Sequence, residues 1–272
     1  MDVLFAHPVA EAVRTRVEAE LSRLETEHQV TVLFACESGS RAWGFASPDS
    51  DYDVRFLYVH RLPWYLQVEL GRDVIERPLD DELDVSGWEL RKALYLLRRS
   101  NPTLLEWLDS PVVYRQQSAW VARLRALAPQ FAALSKVRYH YLAMARKNYR
   151  GYLRGEQVRY KKYLYVLRPL LAVRWLDMGL GLPPMRFASL VQATVKDPQL
   201  LAEINDLLAL KMAGDEALTG PQRPGMQRMI EQELLRAEHG EPHWRRPEGS
   251  RLLLDQLLQE TVLQWDMSHG GA

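Results

Sequence analysis

Two aspartates one residue apart, Asp51 and Asp53, stand between a turn-like stretch, Ser47 to Ser50, and an apolar run, Val54 to Val59. In an extended strand successive side chains alternate faces, so these two carboxylates point the same way. Strand interiors disfavour aspartate and like charges side by side repel, so a positive species is expected against the pair. Upstream, a second apolar run, Val32 to Ala35, ends in Ser38-Gly39-Ser40. Gly39 lets backbone approach a ligand closely, successive N–H groups at such a turn form an anion-binding nest, and the Ser40 hydroxyl can donate to a phosphate oxygen. Magnesium takes carboxylate oxygens, keeps some waters and completes its shell with substrate phosphates. Two such ions roughly 3.5–4 Å apart clamp the attacking and leaving oxygens of a phosphoryl transfer. The plain alternative is a solvated Asp-Tyr-Asp turn behind Pro48, and a Gly-Ser after a strand is weak alone. The conjunction of strand, Gly-Ser, spacer, Asp-x-Asp and strand favours the catalytic reading. Arg41, beside the turn, reads as a phosphate contact or as a partner of Asp49 or Asp51.

The stretch Gly39, Ser40 through Asp51, Tyr52, Asp53, Val54 resembles the signature of the DNA polymerase beta-type nucleotidyltransferase superfamily. The longer string ESGSRAWGFASPDSDYDVRF resembles the bacterial and phage branch of predicted nucleotidyltransferases, including the RNA repair pathway DNA polymerase beta family. The likeness continues through LDVSGWELRKAL and into KKYLYVLRPLLAVRW, about two-thirds of the chain. It implies an enzyme with a mixed-sheet catalytic core, two Mg²⁺ ions (or Mn²⁺) as cofactors, and an NTP substrate, with ATP the expected nucleotide. It leaves the acceptor open. An RNA 3′ end, in repair or tailing, is the expected one; a protein adenylyltransferase of the antitoxin or regulatory type and a non-catalytic RNA-binding module are the alternatives.

Sites of this kind take a third carboxylate from a neighbouring strand, and the candidates are Glu76, Asp80, Asp81, Glu82 and Asp84. Asp84 lies between Leu83 and Val85, an alternation that separates the acid from the buried face. Asp80 to Glu82 follow Pro78 and read as a hairpin turn. By the resemblance, Asp84 would contact the catalytic metal and accept the proton of the attacking hydroxyl. Its alternative role is an N-cap for a helix starting near Trp88, but Ser86, with Glu89 three residues on, is the better capping box.

The net charge is zero, yet the charge is unevenly placed. From Ser135 to Arg186 twelve Lys or Arg face two acids, a surplus of ten that the rest of the chain must balance, and seven of the twelve tyrosines lie there. Basic residues interleaved with aromatics suit polyphosphate and stacked bases; a solvated helix face is the ordinary alternative. Within this segment Lys161, Tyr165 and Arg168 recur at helical spacing with Lys162 beside them. The resemblance, through distant poly(A) polymerase-like relatives, makes Lys161 or Lys162 and Arg168 triphosphate contacts and Tyr165 a nucleotide contact. Simple core and boundary packing is the competing account. Pro169 is expected to kink or restart the helix.

Hydrophobic periodicity places a helix over 9–27, strands over 31–36, 52–59, 73–77 and 82–86, a helix over 87–99, a short helix over 103–108 and a further short strand near 111–114. Helices follow near 117–127, 136–154, 158–178, 186–194, 198–211, 223–238 and 250–266. The expected fold class is therefore α+β over 1–115, with an all-helical domain over 116–267 and a disordered tail, 268–272; the resemblance makes the first a small mixed β-sheet nucleotidyltransferase core with flanking helices and the second the part that binds nucleotide and acceptor. The single cysteine, Cys36, excludes an intrachain disulfide and reads as a small core residue. The seven histidines show no metal-ligand spacing. No apolar run reaches the roughly 20 residues of a membrane span, and the opening residues lack a basic n-region. The expected setting is cytoplasmic, with no membrane partner.

Overall fold

The computed structural model of the protein describes residues 8–69, 71–78, 82–214, 218–240, 244 and 246–269. Its elements are α1 (Glu11–His28), β1 (Val30–Glu37), α2 (Gly39–Trp43), β2 (Tyr52–His60), α3 (Leu62–Tyr65), β3 (Val74–Pro78), β4 (Leu83–Glu89), α4 (Leu90–Arg98), α5 (Pro102–Leu108), β5 (Val113–Gln116), α6 (Ser118–Phe131), α7 (Leu134–Tyr152), β6 (Gln157–Arg159), α8 (Lys161–Asp177), α9 (Phe187–Thr194), α10 (Pro198–Met212), β7 (Thr219–Pro221), α11 (Pro224–His239) and α12 (Arg251–His269). Two units account for them. The sheet unit takes Pro8–Gly39, Asp51–Ala132 and the chain from Pro247 onward; the helical unit takes Ser40–Ser50 and Ala133–Arg246. The fold class is α+β, as expected from the periodicity.

The sheet runs β3-β4-β2-β1-β5. β2 and β4 pair in parallel and the other neighbours antiparallel, which makes the sheet mixed. One face packs on α1, where Val17, Leu21 and Leu24 meet Val32, Ala35, Val54, Phe56, Tyr58 and Val85. The other face carries Leu33, Phe34, Cys36, Leu57 and Val59 against α4, α5, α6 and α12. Strict alternation would send Leu33 and Phe34 to opposite faces. A register shift between Val32 and Phe34 lets both enter the second core, which is what an extra residue in a strand does. β2 alternates without interruption. Val54, Phe56 and Tyr58 go to the α1 face, so Asp53 and Arg55 share the opposite face with Leu57 and Val59.

Several elements differ from the sequence expectation. Ser38-Gly39-Ser40, read as a turn, leads into a short helix, Gly39–Trp43. Ser86 is not a cap: β4 continues to Glu89, and the Glu89 carboxylate accepts from Lys92 N at 3.2 Å at the start of α4. Tyr65 Oη also donates to it at 2.5 Å. Two polar partners fix the buried acid, whose pKa is pushed above the usual carboxylate range by burial. α8 continues through Pro169; buried residues on every side of α8 offset the lost backbone bond. α12 includes Ser268 and His269, and the rest of the expected tail, 270–272, lies outside the described residues.

Gly87 of β4 lies under the Phe56 ring; a Cβ there would stand 2.3 Å from Phe56 Cε2. Gly87→Ala should therefore cost about 1–3 kcal/mol by overpacking, read as a lower urea midpoint. In a Phe56→Leu background the same change should cost much less. Equal costs in both backgrounds would show that the ring is not what requires the glycine.

Candidate active site

In the parallel register of β2 and β4, Asp53 lies directly beside Asp84. Both point to the face opposite α1, past the end of the apolar cover made by Leu57 and Trp88. Their side chains keep 32% and 48% of their exposure, so solvent and ligand reach them. Between the two stands Arg55. Its Nη2 donates to Asp53 Oδ1 at 2.9 Å and to Asp84 Oδ2 at 2.7 Å, while Nη1 donates to the carbonyls of Val54 and Asp84. One guanidinium thus offsets the repulsion of Asp53 and Asp84; the sequence pattern points to a positive species beside Asp51 and Asp53.

The other side of Asp53 is set by Gly39. Gly39 has φ of +60°, and a Cβ on it would lie 2.0 Å from Asp53 Oδ2. Both the backbone conformation and the space require glycine here. The backbone around Asp53 is held from β1: Ser38 N donates to Asp53 O at 2.8 Å, and Asp53 N donates to Glu37 Oε1 at 2.7 Å. Glu37 is fully buried, and Tyr114 Oη donates to its second oxygen. Burial pushes the Asp53 pKa above the usual carboxylate range; Arg55 opposes this, and the charges of Asp84 and Asp51 add to it.

Among the described candidates for the third acid, Asp84 is the one brought beside Asp53. Glu76 pairs with Arg72 at 2.7 Å; Glu82 lends its carbonyl to Tyr52 N at 2.8 Å; Asp80 and Asp81 lie outside the described residues. Asp51 is exposed and precedes β2. Among the described residues no group of three or more metal-type side chains converges closely enough to hold an ion alone. The donor set still suits a hard divalent cation. Facing carboxylates already accept one cation, the guanidinium of Arg55, and magnesium characteristically takes one or two carboxylates and leaves its other positions to water and phosphate.

The remaining sequence candidates belong to the helical unit. Ser40, in α2, accepts from Gly44 N and Phe45 N, both at 3.1 Å, through its carbonyl. Arg41 is buried and donates to the carbonyls of Pro48 and Ser50, the latter at 2.6 Å. Lys211, also buried, donates to the hydroxyls of Ser47 and Ser50, each at 2.9 Å. Two cations thus fix the turn that leads into Asp51. On α8, Lys161 and Tyr165 are half-buried and Arg168 is buried. Arg168 lies over the Trp43 ring at 4.5 Å and donates to Met185 O. Lys162 Nζ stands 4.2 Å from the centre of the Tyr152 ring and 5.0 Å from that of Tyr165, which meets Trp43 edge-on.

Three residues with roles in this arrangement were not singled out from the sequence. Arg55 was visible in principle: it follows Asp53 by two positions, and strand alternation alone puts it on the carboxylate face. Glu37 could be found only through the antiparallel register of β1 and β2. Lys211 lies 164 positions from Ser47, and no local pattern connects them.

Because ionised Asp53 is held against its desolvation cost, Asp53→Asn is expected to raise the melting temperature of the metal-free protein at pH 7. The sign follows from linkage: a carboxyl whose folded pKa is raised costs stability when ionised, and the cost disappears as pH falls through that pKa. The advantage of the variant should therefore shrink on acidification, in thermal melts from pH 7 downward. A variant less stable than the wild type at pH 7 would mean that the Arg55 pairing outweighs burial.

The chain is similar to several known proteins. The model of the RNA repair pathway DNA polymerase beta family matches residues 13–260. The uncharacterized protein YcgL of Bacillus subtilis (strain 168) is 48% identical over 204 residues, which span 75% of this chain and 78% of that protein. A solved structure, the nucleotidyltransferase-like protein from Exiguobacterium sibiricum 255-15, aligns over 95% of this chain and 92% of that one at 14% identity, with a TM-score of 0.31. The family match takes in Gly39, Asp51, Asp53, Arg55 and Asp84 together with all of α7 and α8, and so the chain belongs to the RNA repair pathway DNA polymerase beta family, a family of nucleotidyltransferase enzymes.

Proposed function

We propose that the protein transfers a nucleoside monophosphate from an NTP, ATP foremost, to the 3′ hydroxyl of an RNA, acting in the cytoplasm. The observation that carries this reading is the carboxylate pair of Asp53 and Asp84, fixed by the parallel β2–β4 register with Gly39 pressed against Asp53. Asp53 and Asp84, with Asp51 beside them in sequence, would hold divalent metal, Mg²⁺ or Mn²⁺, as two ions. Bound there, the metal supplies charge neutralisation at the transferring phosphoryl group. The Gly39 backbone and the Ser40 hydroxyl would take oxygens of the triphosphate. Within the helical unit, Lys161 and Lys162 would add positive charge and Tyr165 an aromatic surface for the nucleotide, while the buried Arg41 and Arg168 would hold that unit's own backbone through Pro48, Ser50 and Met185.

The acceptor hydroxyl oxygen attacks the α-phosphorus, its proton passes to the Asp84 carboxylate, the bond from the α-phosphorus to the bridging oxygen breaks, and pyrophosphate leaves. Asp53 keeps the reacting groups in register. Catalysis on this account is positioning and charge stabilisation.

Incubation with each α-labelled NTP, Mg²⁺ or Mn²⁺, and total RNA is expected to place label on RNA 3′ ends. Asp51→Ala and Asp53→Ala should each lower incorporation at least a hundredfold with the circular dichroism spectrum unchanged. Full activity of the double variant would overturn the carboxylate assignment; label on protein instead of RNA would overturn the acceptor. A second measurement addresses Arg55. Arg55→Gln should lower the melting temperature without divalent metal, and millimolar Mg²⁺ should raise it by more than in the wild type. Equal Mg²⁺ shifts in the two proteins would argue against metal at these carboxylates.

A further inference from the structure

The helix α7 has one face buried in the helical unit, through Val137, Arg138, Tyr141, Leu142, Ala145 and Tyr149. Its outer face lines a groove of about 550 Å³ in which Tyr139, Arg146, Lys147 and Arg150 stand around Ala143 and Gly151. α7 contains no acidic residue. Arg146 is paired with Glu238 at 2.9 Å, but among the described residues Lys136, Lys147 and Arg150 form no ion pair. A solvated helix face ordinarily mixes charges of both signs, and this one keeps its repulsion. Tyr139 presents its ring to solvent, 73% exposed.

Gly151 is a separate observation. It stands in the last turn of α7, its φ is not left-handed, and a Cβ on it would meet nothing within 4 Å. Glycine in a helix costs roughly 0.5–1 kcal/mol relative to alanine. No packing or backbone demand of the chain accounts for that cost, whereas a ligand lying close along the groove floor would.

We infer that the outer face of α7 is a track for single-stranded RNA, with Lys147 and Arg150 on successive phosphates, Tyr139 stacking on a base and Gly151 giving the strand room. This rests on the RNA-acceptor reading above and names where the acceptor strand runs. Tyr139 and Arg150 are about 16 Å apart along the helix axis, a span of a few nucleotides, and a charged groove with an aromatic platform is the usual chemistry for single strands.

The test is fluorescence anisotropy of a labelled 20-nucleotide RNA against the full chain over a range of salt. Lys147→Glu with Arg150→Glu should weaken binding at least tenfold at low salt and make the salt dependence shallower by about 1.4 log units per log unit, two phosphates' worth for a single strand. Lys147→Gln with Arg150→Gln should do the same to a smaller extent, which separates charge loss from misfolding. Tyr139→Ala should weaken binding about fivefold with the slope unchanged, and Gly151→Ala should raise the melting temperature while weakening binding. RNA binding by both double variants equal to the wild type, in affinity and slope, would overturn the track. If those variants instead lose only binding to anionic lipid vesicles, the face serves a membrane and the inference is wrong. A wild type that labels RNA while the variants bind normally would refute the track alone; a wild type that neither binds nor labels RNA would refute the acceptor reading as well.

Discussion

Everything in the candidate site depends on two carboxylates being held side by side by backbone hydrogen bonds. The parallel pairing of β2 and β4 makes Asp53 and Asp84 direct neighbours, and neither can retreat without breaking the ladder. The rest of the sheet unit compensates. Arg55 lies between them, Glu37 fixes the backbone of one, and Gly39 removes the side chain that would collide with it. A protein selected for stability alone would not concentrate like charge on a half-buried strand end. The arrangement is intelligible as preorganisation, in which the cost of bringing the charges together is met during folding and not when substrate arrives.

Much of this was legible in the sequence because period-two alternation is a local property. The alternation of Asp53, Val54 and Arg55 and of Leu83, Asp84 and Val85 announced which residues share a face, and the apolar runs located β2 to within a residue, while β4 runs three residues beyond its expected end. The helices of both units were legible for the same reason at the longer period. What escaped was either non-local or locally ambiguous. The pairing of strand with strand is set by packing across the chain, so Glu37 carried no visible mark. The Glu89 cap was misread as Ser86 because Ser86 has better capping chemistry; the strand pairing of Ser86 with Arg55 overrode it.

The basic segment shows how counting charge differs from placing it. Of the twelve cations between Ser135 and Arg186, Arg138 is tied to Asp177 and the carbonyl of Ala237, Arg146 to Glu238, and Arg168 to Trp43 and Met185. These act as fasteners within the helical unit. Of the exposed remainder, Lys136, Lys147 and Arg150 lie on α7, and Arg154 and Arg159 follow it. Burial also explains α8: it is apolar on most of its circumference, so Pro169 could be accommodated where an exposed helix would have broken.

The order of the chain carries a further consequence. α12 completes the core under β1 and β2 through Leu254, Leu257 and Val262, and Thr261 accepts from Trp120 Nε1 at 2.9 Å across a sequence separation of 141. The sheet is thus written early and its last wall late, with the whole stretch Ala133–Arg246 of the helical unit in between. During synthesis the apolar face of the strands waits, uncovered by α12, while the whole of Ala133–Arg246 is made. For a polypeptide made at ~5–20 residues per second that interval lasts on the order of ten seconds, long enough for a chaperone to matter.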